Sequence, residues 1–564
     1  MNQYFKQLLI YITFLFFVSI SACKDKDKNK VGPITEEVVK ASNANSAMGN
    51  FIENVFTSSD TICTLSDSTK IDYYKVLKSF YAKNDYEPIW SSKKVFNTQA
   101  NALMNYLDTS IQQGLFKDDY HYSKLKKLKS FLQNDSLNKG TQVMWGNAEL
   151  MMTDAVVGML RDLKQGRMQG DSLSWGNDSN KIISYFLPNM EKIRKKEKID
   201  TLLASVQPKH KGYVALKSGI KKFVDSMDNH VYTYVTYPMR DSNSLRKELK
   251  KRLGENEILL EANADSIAIV QALKQYQNKY GLKADGQFGA GVAKKMNSSD
   301  KNKLYNIAIT LDRYKQLPDT MPERYIWVNM PAYYLKVIDT DTIAFESKVI
   351  VGKPTTPTPE ITSKISDIVL YPTWTVPSSI IEKDLLPSLK RNSNALTRRG
   401  LYLVNGRGKK IDAGSINWDK YKKGIPYMVQ QASGDRNALG IIKFNFHNPF
   451  AVYLHDTNQR YLFANGVRCL SHGCVRVQEW KTLANYLVKN DSLRNKIATD
   501  TIRYNADSVR NWMAYKKNKI MKLKERVPLF IRYFSCELIG GKIKFYDDIY
   551  ADDRDMKNMY FAKK

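Results

Sequence analysis

The strongest constraint on this chain of 564 residues is a change of hydrophobic period at Arg324. Upstream, apolar residues recur at three- and four-residue steps. Leu103, Tyr106, Leu107 and Ile111 lead to Gly114, and Leu150, Ala155, Val156, Met159 and Leu163 lead to Gly166. Each set is the stripe of an amphipathic helix with a glycine stop. Downstream, YIWVNMPAYYLKVI, a turn at Asp339 to Asp341, TIAFESKVIVGK, IIKFNF (441–446) and FAVYLH (450–455) read as strands, with Pro354, Pro357, Pro359, Pro372 and Pro377 in loops or on edges. One segment cannot serve both periods, so the expected fold is multidomain α+β, mostly α first and β-rich after. The length suits roughly three domains.

Hydrophobic residues at 43% and aromatics at 11% can fill such cores, which excludes a disordered chain. Lysine and arginine outnumber the acids 87 to 57, a formal charge of +30. That balance suits nucleic acid, an anionic membrane or an acidic polymer, or a merely solvated basic surface. The N-terminus narrows the choice. Lys6 precedes a short apolar run, Leu8 to Val18, and then Ile20-Ser21-Ala22-Cys23. The run falls short of the ~20 apolar residues of a spanning helix and reads as an export signal over residues 1–23. Its last four residues resemble a bacterial lipobox. That resemblance implies an acylated Cys23, a lipid anchor in the membrane, and a chain facing the periplasm, with the outer membrane of a Gram-negative cell as the expected site. Residues 24–67, opening with KDKDKNK, read as a flexible tether. Export removes nucleic acid as a partner and leaves the carboxylate-rich envelope.

Between Asp265 and Asn297 lies a compact unit. Ile269, Leu273, Tyr276 and Tyr280 mark a helix face, Gly281 ends it, Asp285-Gly286 turns, and Gly289 precedes a short helix. The pattern resembles the three-helix peptidoglycan-binding domain, expected over 262–298. A helical scaffold domain would precede it at 68–255 and a connecting helix through Leu304, Ile307, Leu311 and Tyr314 would follow at 301–322.

The stretch RCLSHGCVRV (468–477) carries the chemistry. Cys469, His472, Cys474 and His455 can be drawn as a zinc site, but zinc-knuckle spacing, HExxH and CxxC are all missing. Cys469 and Cys474 could pair as a disulfide. Alternatively, Cys474 is a nucleophile: Gly473 permits close backbone approach, amides of the loop could meet an oxyanion, and His455, at a strand end, could take the thiol proton. Tyr453, two residues before His455, shares its strand face.

His455 followed by Ser471-His472-Gly473-Cys474-Val475-Arg476 resembles the signature of L,D-transpeptidases with a YkuD-type catalytic domain. VNMPAYYLKV (328–337), VIVGKPTTPTPEI (349–361), YPTWTVPSSI (371–380), RNALGIIKF (436–444) and YLHDT (453–457) are similar to blocks of the large YcbB-like subgroup. The resemblance implies a catalytic domain at 324–500 with a lid insertion at about 378–431, and a C-terminal segment, 501–564, packing on scaffold and catalytic domain. It implies that Cys474 attacks a peptidoglycan tetrapeptide stem, that His455 moves the proton, and that the Asp456 backbone carbonyl orients His455. Gly473 and Cys474 amides would hold the oxyanion, His472 would shape the pocket, and Arg476, Tyr453 and Ser471 would contact substrate. Stem peptides and glycan strands are the expected partners, with no metal and no cofactor. Transfer to an amine gives a 3→3 crosslink and transfer to water a trimmed stem; the sequence does not separate them.

Overall fold

The computed structural model describes residues 44–58, 63–134, 140–168, 179–237, 241–261, 263–494 and 506–561. The expected export signal and Cys23 lie outside the described residues, as does the tether up to residue 43.

The expected tether is shorter than its polar composition suggests. Helix Ala44–Thr57 buries Met48, Ile52 and Phe56 at helical spacing, in one core with Leu77, Phe80, Tyr81 and Trp90. The centre of that core is helix α1, Gln142–Gln165, capped by the Thr141 side chain at its start and by Gly166 (φ 79°) at its end. Buried Glu149 accepts from the Tyr81 hydroxyl (2.9 Å) and the Ile89 amide (2.5 Å). Its carboxyl is pushed up to about 7 by burial.

Helices Ser242–Gly254, Ser266–Lys279 and Ala290–Asn297 form a separate small bundle. Its core joins Leu249 and Leu253 to Ile269, Leu273, Tyr276, Val292 and Met296. The boundary expected at 255 therefore moves upstream, because the apolar face of Ser242–Gly254 is buried in this bundle. Buried Gln277 braces the Asp285-Gly286 turn, accepting from the Gly286 amide (2.7 Å) and donating to Asp285 (2.9 Å).

Helix α2, Asp300–Lys315, was expected as a connector but is a spine. Every residue from Ile307 to Lys315 is buried. Arg313, 3% exposed, donates to Asp553 and Asp552 at the start of helix α3, Asp552–Tyr560, each at 2.5 Å.

The β-rich part holds strands β1 Arg324–Asn329, β2 Tyr334–Asp339, β3 Thr342–Gly352, β4 Ile361–Leu370, β5 Ile442–Phe446, β6 Leu454–His455, β7 Cys469–Ser471, β8 Val475–Val477 and β9 Lys519–Arg532. Their order is β7-β3-β8-β6-β5-β4-β9-β1-β2, and β2 also pairs with β3, so eight strands return to their start. The sheet does not end near residue 500 as expected. Strand β9 lies in its middle, antiparallel to β4 and parallel to β1, because Met521, Leu523, Val527, Leu529 and Ile531 supply the missing apolar row of the core. One face packs this core, with Val349, Phe444, Leu454, Val475 and Val477 against helix Trp480–Arg494. The opposite face carries the site.

The insertion after β4 folds around its own core of Val376, Leu385, Leu389, Leu401, Leu403, Trp418 and Val429. A four-stranded sheet built on Trp374–Thr375, Leu401–Val404, Lys410–Ile411 and Met428–Gln431 supports it.

Candidate active site

Alternation along short strands brings the candidate residues together. Strand β6 runs parallel to β8, with His455 opposite Arg476, and antiparallel to β5, with His455 opposite Lys443. Paired residues point to the same side of a sheet. The Val475 amide donates to the Tyr453 carbonyl (3.1 Å), setting Cys474 level with Tyr453. Tyr453, His455, Cys474, Arg476 and Lys443 thus share one face, while Leu454, Val475 and Phe444 turn to the core. The Tyr453 and His455 rings meet edge to face, 5.5 Å apart.

The loop between β7 and β8 is held from within and from below. Ser471 Oγ donates to the Cys474 carbonyl (2.6 Å) and accepts from the Gly473 amide (3.1 Å). Gly473 has φ 116°, a conformation other residues reach only under strain. Beneath it, Thr358 Oγ1 donates to the Gly473 carbonyl (2.8 Å) and accepts from the Gly352 amide (2.9 Å). The Lys353 amide and Thr356 hydroxyl reach the Ser471 carbonyl at 2.9 and 3.2 Å. Tyr550, from the C-terminal segment, donates to the Gly352 carbonyl (2.8 Å). The proline- and threonine-rich run after β3 is therefore a clamp on the loop that carries Cys474, a role its composition did not announce.

Two expectations change here. Gly473 was expected to offer its amide to an oxyanion, but that donor is engaged by Ser471, leaving the Cys474 amide, which has no internal acceptor among the described residues. Ser471 was expected to contact substrate, but it is 2% exposed and its hydroxyl is spent within the loop. His472 is exposed and bonds Asp384 of the insertion (2.8 Å), so it ties the insertion to the loop. Among the described residues no group of three or more potential ligands could hold a metal. Cys469 and Cys474 are free thiols in different surroundings, Cys469 beside Tyr333 and Cys474 beside Tyr453.

Asp456 is fully buried. Its carboxylate accepts from Arg460 and from the Ile441 amide (3.1 Å), so its side chain is structural. Gly440, with φ 63°, must lack a side chain, since a Cβ there would stand 2.2 Å from the Asp456 carboxylate. The Asp456 backbone carbonyl, with that of Leu439, favours protonation of the His455 ring, yet Nδ1 makes no hydrogen bond of good geometry. Catalytic contacts are commonly loose without substrate.

Burial, then the Arg476 charge, hold the His455 imidazole down at about 3. Burial pushes the Cys474 thiol up, against the pull of Tyr453, Lys443 and Arg476 towards thiolate. The Cys474 sulfur lies 4.0 Å from the Ala451 carbonyl, and at neutral pH the imidazole on the same sheet face is neutral. Sequence reasoning missed Lys443 and Trp374. Projecting the alternation of IIKFNF onto the His455 strand would have found the first. Trp374, at the root of the insertion, turns its buried Nε1 towards the Tyr453 hydroxyl without closing a hydrogen bond.

Comparison with known proteins bears on this site. Residues 75–219 match the family model described as a scaffold domain, and residues 323–497 match the YkuD model, the L,D-transpeptidase catalytic domain. A curated Haemophilus influenzae protein named "Putative L,D-transpeptidase" is 34% identical over 259 residues, 46% of this chain and 50% of the relative. The chain thus spans about half the length of the curated relative it matches. Among solved structures, a Mycobacterium smegmatis L,D-transpeptidase is 13% identical, with a TM-score of 0.18 over 37% of this chain and 58% of that one. An L,D-transpeptidase from Stackebrandtia nassauensis is 14% identical, with a TM-score of 0.15 over 45% and 91%. Superpositions this poor add no weight. The family models and the curated relative do: residues 323–497 carry the catalytic domain of the YkuD L,D-transpeptidases, behind a helical scaffold domain.

Proposed function

We propose that the protein cleaves the terminal D-alanine from peptidoglycan tetrapeptide stems through a thioester on Cys474 and passes the acyl group to a second stem, forming a 3→3 crosslink. The observation that carries this reading is the shared face of Cys474, Tyr453 and His455, with a clamped loop presenting the sulfur. His455 takes the thiol proton as sulfur attacks the carbonyl of the third stem residue. The Cys474 amide meets the oxyanion. Collapse expels D-alanine, whose amine recovers the proton, and the acceptor amine then repeats the sequence in reverse. Arg476 donates to Gln459 (3.1 Å) and keeps a buried Nε without a partner, a donor suited to a stem carboxylate. The three-helix bundle would hold glycan or stem, and an acylated Cys23 would keep the enzyme at the envelope membrane, facing the wall.

Incubating the full chain and Cys474→Ala with tetrapeptide muropeptides, and reading products by mass, tests the proposal. Dimers joined through third residues, lost in Cys474→Ala, are expected. Tripeptide alone would assign a carboxypeptidase, and unchanged stems with retained wall binding would refute catalysis.

A further inference from the structure

Lys443 is a half-buried cation with one acid, Asp367, on its face and no ion pair with it among the described residues. It is half-buried on β5, directly opposite His455 across the ladder. Its ammonium sits 4.1 Å from the centroid of the Tyr453 ring. Among the described residues it forms no ion pair. The nearest acid on this face, Asp367 on β4, is already held by Asn445 Nδ2 (2.5 Å) and Ser366 Oγ (2.7 Å). Burying an ammonium without a counter-ion is costly.

The remaining ionisable groups facing it are few. Strand β6 contributes Tyr453 and His455, β8 contributes Arg476, with Tyr461 near that guanidinium, and β4 contributes Asp367. Of these, none but Asp367 is an anion at neutral pH. The one new negative charge that can arise beside Lys443 is on the Cys474 sulfur.

We propose that Lys443 is the positioning residue for the Cys474 thiolate: seated on the Tyr453 ring, its ammonium holds the negative charge on sulfur between proton removal and attack. In the step, the S–H bond breaks, the proton passes to the His455 imidazole, and sulfur keeps the electron pair. Lys443 stays protonated throughout and gains a second negative neighbour besides Asp367. Tyr453 has a second task in this arrangement, since its ring seats the ammonium and also packs against the His455 ring at 5.5 Å. Burial of Lys443 and of the thiol both oppose their charged forms, and the two charges relieve each other when they appear together. The inference rests on Cys474 being the nucleophile proposed above, but its test reads the thiol and not turnover, so a chain that makes no crosslinks can still pass it.

The test is the pH profile of iodoacetamide alkylation at Cys474, resolved by peptide mass in the full chain, for wild type, Lys443→Met and Lys443→Arg. Cys469 in the same digest serves as the internal reference. The expected result is a midpoint about one pH unit higher in Lys443→Met, and so about tenfold slower alkylation below it. Lys443→Arg should return most of that shift, which a merely structural role would not produce. Should the methionine variant fail to fold, Lys443→Gln carries the same expectation. A profile superimposable on wild type in a folded neutral variant, or an equal shift in Lys443→Arg, overturns the proposal.

Discussion

Replacing Thr358 by valine removes one hydroxyl and almost no volume, which makes it a clean probe of the clamp beneath Cys474. Thr358 is 2% exposed, and its hydroxyl donates to the Gly473 carbonyl at 2.8 Å and accepts from the Gly352 amide at 2.9 Å. Thr358→Val therefore strands a buried acceptor and a buried donor in one step. Each stranded group costs about 1–3 kcal/mol. Because the loop can relax towards water, the sum should fall at about 2–4 kcal/mol. For a domain of this size that lowers the melting temperature by roughly 5–15 °C. The catalytic effect should be larger than the stability effect suggests, since Gly473 orients the next residue. The assay is a thermal melt alongside the rate of tetrapeptide consumption at a temperature where both proteins are folded. Thr358→Ser, which keeps the hydroxyl, should lose much less. A valine variant that melts and turns over like wild type would refute the clamp as a support of the nucleophile.

Other outcomes follow from the same structure. His455 titrates at about 3 when folded against 6.5 for the free ring. The unfolded chain therefore binds the proton first, and stability present above about pH 6.5 is lost as pH falls towards 3, by up to about 1.4 kcal/mol per pH unit. Urea melts of wild type and His455→Asn between pH 7 and 4 should differ in slope by that amount, and equal slopes would contradict a buried neutral imidazole. Arg313→Met should cost about 3–5 kcal/mol, because it leaves buried Asp553 without its partner; adding Asp553→Asn should recover part of the loss in chemical melts. Asp384→Asn breaks a contact between exposed groups, so stability should move by no more than about 1 kcal/mol, while KM for the stem should rise as the insertion loosens from His472.

That His455 and Cys474 would share a sheet face was legible because both sit at the ends of short apolar alternations on what read as neighbouring strands. Their neighbours were less legible for particular reasons. Lys443 was visible in IIKFNF as a residue of a strand, but its meaning depended on which strand lies alongside, a non-local fact that no window of residues contains. The family resemblance assigns Ser471 to substrate contact and the Gly473 amide to an oxyanion. In the structure each satisfies the other, since a buried amide must find an acceptor somewhere. Helix Ala44–Thr57 was hidden by polar residues on its outer face, although Met48, Ile52 and Phe56 stand at four-residue steps. The change of period at Arg324 gave the division into a helical and a β-rich half because period is a property of each segment by itself.

Strand β9 gives the molecule an order in time as well as in space. Its Arg532 side chain donates to the carbonyl of Ile361, 171 residues earlier in the chain. Contacts of such separation form late, after the entropy of closing a long loop has been met. Until β9 arrives, β4 and β1 stand with unpaired edges, the eight-strand circuit is open, and Tyr550 is not yet beneath the loop that presents the sulfur. A chain emerging N-terminus first would thus carry Cys474 for some time on an unfinished sheet. An excised fragment ending at residue 497 would keep every candidate catalytic residue and still lack the strand that closes the circuit, so competence here is acquired last and all at once.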